Sequence, residues 1–223
     1  MPTRLSAEEI IFDNTANILG VTTYSSSSSG PNQVGDEVHA GGTSRVVTFM
    51  QVGVTMLALN YYPGGTADIQ ARLYANDGLE GAPGSVLWDS GLLPQIPISG
   101  NSTTMVSFDV PQITVPDIFT WTVQIFNSSP TRIGVNHAGP ESIGSSPDHA
   151  WVYGPFGWRH LLYAPGNVPS PLDFAARIVA VPEPPLGQFL VTGAAVLGGA
   201  TGVRRLLSHR RKCASNRSAS NLF

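Results

Sequence analysis

The aromatic and histidine side chains between residues 137 and 163 are the densest run of chemistry-bearing groups in this 223-residue chain. Trp151, Tyr153, Phe156, Trp158 and Tyr163 fall within thirteen residues, broken by Gly154, Pro155 and Gly157. Aromatic faces stack on sugar rings, and Arg159, His160 and Asp148 can supply hydrogen bonds to hydroxyls, so such a loop suits carbohydrate. Trp151, Tyr153, Trp158, Arg159 and His160 are the glycan contacts this reading names, although aromatics at the end of a sandwich also plug a core. His137, His149 and His160 lie 12 and 11 residues apart, which matches neither a helical nor a zinc-ribbon pattern. Asn76, Asp77, Glu80 and Asp89 offer oxygen atoms around a glycine turn without the alternate-position order of a calcium loop. They read as a turn. No Gly-x-Ser-x-Gly elbow, His-Glu-x-x-His, Cys-x-x-Cys, phosphate-binding Gly-Lys loop or GxGxxG occurs. The one lysine, Lys212, stands near the C-terminus, so lysine chemistry is excluded from the body. A hydrolase built on Asp148 and Asp173 has no motif behind it. Neither a catalytic group, a cofactor nor a metal is expected.

The elements that would position these residues are strands. Charged residues make up 12% of the chain, about half the usual quarter, while 24 glycines and 18 prolines punctuate it. With 42% apolar residues the chain is too hydrophobic for a disordered protein, and a lone Cys213 rules out a disulfide scaffold. Alternation is strict at 68–73 and 106–110, and clearest at 119–125, where Phe119, Trp121, Val123 and Ile125 share one face and Thr120, Thr122 and Gln124 the other. The last of these is expected to be a central strand. Further strands are expected at 9–12, 45–50, 53–60, 86–89, 133–135, 150–153 and 174–181, separated by turn clusters such as Asn76-Asp77-Gly78 and Ala82-Pro83-Gly84. The pattern predicts an all-β body over residues 9–181, an antiparallel two-sheet, jelly-roll-like β-sandwich of eight to ten strands. Residues 25–29 are a serine run, read as a polar loop.

Charge divides the chain. Up to Val203 six arginines face all fifteen acids, a net −9, whereas the last twenty residues carry six basic side chains and no acid. A body so negative cannot neutralise a run of phosphates, which excludes nucleic acid as its partner. Between Glu183 and Arg204 lie twenty uncharged residues, long enough as a helix to span ~30 Å of hydrocarbon. Five glycines make it a weak span, and the basic cluster behind it predicts a cytoplasmic tail. The expected order is a short segment 1–8, the sandwich 9–181, a linker 182–185, a single C-terminal transmembrane helix 186–207 and a basic tail 208–223. Gly198 and Gly202 form a GxxxG that would let two such helices approach. Residues 1–13 contain no apolar run of an export signal, and the expectation is that translation begins further upstream.

The end of the chain also carries a resemblance. Val181-Pro182-Glu183-Pro184, then a glycine-rich span, then Arg204-Arg205 resembles the PEP-CTERM sorting signal of exopolysaccharide-producing Gram-negative bacteria, over about the last forty residues. The tail beyond Arg205 is longer than that family's usual few residues. The resemblance implies export and inner-membrane anchoring with Arg204 and Arg205 as the membrane stop. It further implies recognition by the membrane protease-transpeptidase exosortase, cleavage near Pro182-Glu183-Pro184, and delivery of the ectodomain to the cell surface or matrix, with exopolysaccharide as a possible partner. Prolines 182, 184 and 185 would hold this segment extended, where a protease can bind it without unfolding anything. Gly35-Asp36-Glu37-Val38, Arg45-Val46-Val47-Thr48, Leu73-Tyr74-Ala75-Asn76-Asp77 and Gly81-Ala82-Pro83-Gly84 look like the sandwich ectodomains found ahead of such signals, for which no catalysis is implied. The reading is a non-enzymatic exported surface or matrix protein, or alternatively a carbohydrate-binding module anchored at the cell surface.

Overall fold

The computed structural model describes residues 7–23, 33–57, 64–100, 102–129, 132–147, 149–161 and 173–183. The chain divides into a unit that ends at Glu183 and a second unit, 184–223. The expected span and tail belong to the second and lie outside the described residues, as does the 25–29 serine run. Among the described residues no helix is long and apolar enough to cross a membrane.

The first unit is built of strands packed as two antiparallel sheets. One sheet contains β1 (Glu9–Asp13), β2 (Ile18–Thr23), β4 (Val46–Leu57), β8 (Thr104–Thr114), β10 (Arg132–Ala138), β13 (Asp173–Phe174) and β14 (Ala176–Val181). Its order is β1-β14-β4-β10-β13, with β8 on β4 and β2 on β10. The other contains β3 (Gln33–His39), β5 (Gly64–Ala75), β6 (Val86–Asp89), β7 (Leu93–Ser99), β9 (Ile118–Ser129), β11 (Ala150–Gly154) and β12 (Gly157–Leu161). Its order is β12-β11-β3-β9-β5-β6, with β7 on β5. The expected sandwich is present, with fourteen strands among the described residues rather than eight to ten. Most connections cross from one sheet to the other, so each alternating strand must turn one face inward. The inward set includes Phe119, Trp121 and Val123 of β9, Ile69, Ala71 and Leu73 of β5, Val52, Val54 and Met56 of β4, and Ile178 of β14. Removing these faces from water is the main force holding the sheets together.

Two segments depart from the alternation reading. The strands expected at 45–50 and 53–60 are one, β4, because Gln51 and Val52 keep pairing with Arg177 and Ala176 of β14 on one side and with Ser107 and Val106 of β8 on the other. The strand expected at 174–181 breaks at Ala175. There Asn14, fully buried, donates its amide to the Phe174 carbonyl (2.9 Å) and accepts the Ala176 N–H (2.8 Å) through Oδ1. One side chain thus supplies the partners that an interrupted ladder would otherwise leave bare.

Candidate functional site

Thr120, Thr122 and Gln124 alternate with the core residues of β9 and so face away from the core, yet all three are buried. They are covered because the second sheet curls over its own outer face. Trp158 on β12 and Tyr74 on β5 have three strands between them, which in a flat sheet would separate their backbones by roughly 19 Å. Their ring centroids are 5.4 Å apart, edge to face. Gly35 of β3 lies between the two, opposite Trp151 of β11 on one side and Thr122 of β9 on the other. A Cβ at Gly35 would fall inside the Trp121 carbonyl oxygen, so only glycine permits this approach.

The floor of the curl is a polar network. The Tyr74 hydroxyl and the Thr122 hydroxyl both donate to Gln33 Oε1, at 2.8 and 3.2 Å. Thr120 donates to Asn76 Oδ1, and Asn76 donates in turn to Glu37, at 2.7 and 2.8 Å. Arg72 bridges Asp89 (2.7 Å) and Gln124 (3.3 Å). Burial raises the Tyr74 phenol above its ordinary value and keeps it a neutral donor. Burial pushes the Asp89 carboxyl up, but bonds from Gln70, Arg72 and the Gly91 N–H outweigh it and hold the group below the usual carboxylate range.

The lip of the curl is the aromatic segment. It is a hairpin, in which the strand expected at 150–153 is joined by a second one where a loop was expected: β11 and β12 pair from Ala150–Leu161 to Gly154–Gly157, with Pro155 and Phe156 at the tip. Tyr153 stands opposite Trp158 with rings 5.0 Å apart, and Trp151 opposite His160 at 4.1 Å. His149 stacks on His160 at 3.9 Å. All five proposed glycan contacts therefore sit on one hairpin. Trp151 is buried, Tyr153 and Trp158 are half-buried, and Arg159 and His160 are exposed. Gly157 turns the hairpin at φ 88°, with open space around the Cβ position. Gly157→Ala should therefore lower stability through backbone conformation alone, by about 1–2 kcal/mol. A urea midpoint equal to wild type would contradict this geometry.

Facing the hairpin is the connection between β5 and β6, residues 79–83, which the sequence did not mark as part of a site. Between the two lies a cleft of about 530 Å³, lined by Leu79, Glu80 and Pro83 on one side and Trp151, Trp158, Arg159 and His160 on the other. Its size falls within the range of about 300–1,000 Å³ typical of small-ligand sites. The available signal was Leu79, a large apolar residue in a polar turn, which is 87% exposed.

The other candidate groups are dispersed or occupied. His137 lies on β10 of the other sheet against Phe174 (5.6 Å), and burial lowers its pKa. The three histidines are thus not one cluster. Asn76 is taken up by Glu37 and Thr120, and Asp77 accepts the Ser85 N–H (2.6 Å) and hydroxyl (2.7 Å), which lower its pKa. Among the described residues no three His, Cys, Asp or Glu side chains are arranged to hold a metal ion. Asp173 is 2% exposed on β13, and Asp148 lies outside the described residues.

Where the sorting motif is expected, Val181 ends β14 paired to Val46, and Pro182 and Glu183 follow, exposed and outside any strand. Pro184, Arg204 and Arg205 lie outside the described residues. No family model, curated protein or solved structure matches this chain.

Proposed function

We propose that the chain is a non-enzymatic exported protein of the cell surface or extracellular matrix, anchored in the inner membrane by residues 186–207 and then processed by exosortase at Val181-Pro182-Glu183-Pro184. The observation that carries this reading is where the last ladder of the described residues ends. It ends at Val181, and the next two residues are exposed, in front of twenty uncharged residues and the Arg204-Arg205 cluster. A protease could take an extended Pro-Glu-Pro peptide there without removing a hydrogen bond from either sheet. The acidic body and basic tail agree with an ectodomain outside and a tail held in the cytoplasm.

Expression in an exosortase-positive host and in its exosortase deletion strain tests the reading. The intact mass of the membrane and surface fractions should fall, by loss of the segment beyond the motif, only where the protease is present. Pro182→Ala with Pro184→Ala should abolish the shift. Identical full-length masses in both hosts would overturn the assignment.

A further inference from the structure

We propose that the cleft between residues 79–83 and the β11–β12 hairpin binds a neutral glycan chain. Trp158 is the stacking plate. It is half-buried and held by Tyr153 at 5.0 Å and Tyr74 at 5.4 Å, both edge to face, so its plane is fixed before any ligand arrives. A pyranose presents a face of C–H groups and an equator of hydroxyls, so it needs such a plate together with both a donor and an acceptor beside it.

Both are present and unspent. Of the arginines whose side chains are described, Arg45 pairs with Asp117 (2.7 Å), Arg72 with Asp89 (2.7 Å) and Arg177 with Asp13 (3.8 Å), whereas Arg159 faces the cleft with no carboxylate among the described residues. Glu80 lines the opposite wall, exposed and likewise without a partner among them. A guanidinium donates and a carboxylate accepts, which is what vicinal hydroxyls require. Glu80 adopts φ 55°, a conformation costly for a non-glycine residue, which sets its side chain's exit from the turn. An exposed apolar side chain, Leu79 at 87%, stands on the wall opposite the hairpin. A polar body with net charge −9 repels acidic polymers, so the chemistry favours neutral sugars.

The test is titration of the purified full-length chain with neutral hexasaccharides of glucose, mannose, xylose and galactose, and with oligogalacturonate, read by tryptophan fluorescence and calorimetry. At least one neutral oligosaccharide should bind with Kd of about 1 mM or tighter, which corresponds to about 4 kcal/mol. Trp158→Ala should weaken it at least tenfold, and the two surface changes Arg159→Gln and Glu80→Gln several-fold each, with unchanged circular dichroism. Silence across the neutral panel, preference for oligogalacturonate, or affinity unaffected by Arg159→Gln and Glu80→Gln would each overturn the proposal. Because this binding is measured without exosortase, its failure and that of the sorting reading are separate results.

Discussion

Gly35→Ala should lose about 4 kcal/mol of stability or more, a loss in the exceptional tail of single substitutions. The new methyl group would overlap the Trp121 carbonyl oxygen and crowd the Thr122 Cα, both backbone atoms of the central strand β9, so no side-chain rotation relieves it. Relief requires β3 and β9 to separate, which opens the curl and exposes the polar floor beneath Trp158. The natural control is Gly154→Ala on the adjacent hairpin strand, where nothing lies within 4 Å of the added atom and φ is not positive. Urea unfolding of both should show a large fall in midpoint for the first and little change for the second. Equal midpoints would contradict the close approach of β3 and β9 at Gly35.

Asp36→Asn should make the protein more stable at neutral pH. Asp36 is fully buried on β3. Its Oδ2 accepts the Phe174 N–H, while Oδ1 has no hydrogen-bond partner among the described residues. Burial first, then the charges of Asp173 on β13 and Glu141 in the β10–β11 connection, raise its pKa well above the usual carboxylate value, with the Phe174 bond opposing. A raised carboxyl binds its proton more tightly in the folded state than in the unfolded one. Stability is therefore complete below the unfolded carboxyl pKa and is lost as pH climbs from there towards the folded value. Asparagine keeps an acceptor for Phe174 and removes the ionisation. The gain expected near pH 7.5 is about 1–3 kcal/mol, since each tenfold difference in proton affinity between the folded and unfolded states is worth about 1.4 kcal/mol. For a domain of this size that is roughly 3–10 °C in Tm. The difference should shrink as pH is lowered to about 3, below the unfolded carboxyl pKa, where Asp36 is mostly protonated in both states. His137 and Glu9, whose pKa values are lowered, work in the opposite direction, since each loses its contribution as pH falls. A difference in Tm independent of pH, or a less stable asparagine variant at pH 7.5, would refute this account.

Where apolar residues alternate with polar ones, as in β5, β8 and β9, the strands were legible in the sequence, and β6 and β11 were legible as short apolar and aromatic runs. Three of the missed strands each break the pattern in a different way. β3 reads Gln-Val-Gly-Asp-Glu-Val-His, and its inward position between Val34 and Val38 is Asp36, so the pattern is broken by a fully buried carboxyl. β7 contains Pro94 and Pro97, which alternation counts against a strand but which an edge strand tolerates. β12 is Gly-Trp-Arg-His-Leu, too polar for a core strand, because most of it faces the cleft or water. The aromatic contacts of the candidate site were legible as residues and as a glycan-suited set. The facing wall at 79–83 and the brace from Tyr74 were not, since three intervening strands must curl before those groups meet.

The position of β14 also constrains when the protein can acquire its shape. Among the described residues the last strand made, β14, lies between the first, β1, and β4, and Asn14 is bonded to residues about 160 positions later. Until residues 176–181 have left the ribosome, Ile11 and Phe12 have no sheet to join and their apolar surface stays in water. Contacts of such separation are assembled slowly, on the millisecond-to-second scale of non-local β topologies. The β1 edge of the first sheet therefore closes only after β14 has emerged, whereas every described strand of the second sheet has been made by Leu161.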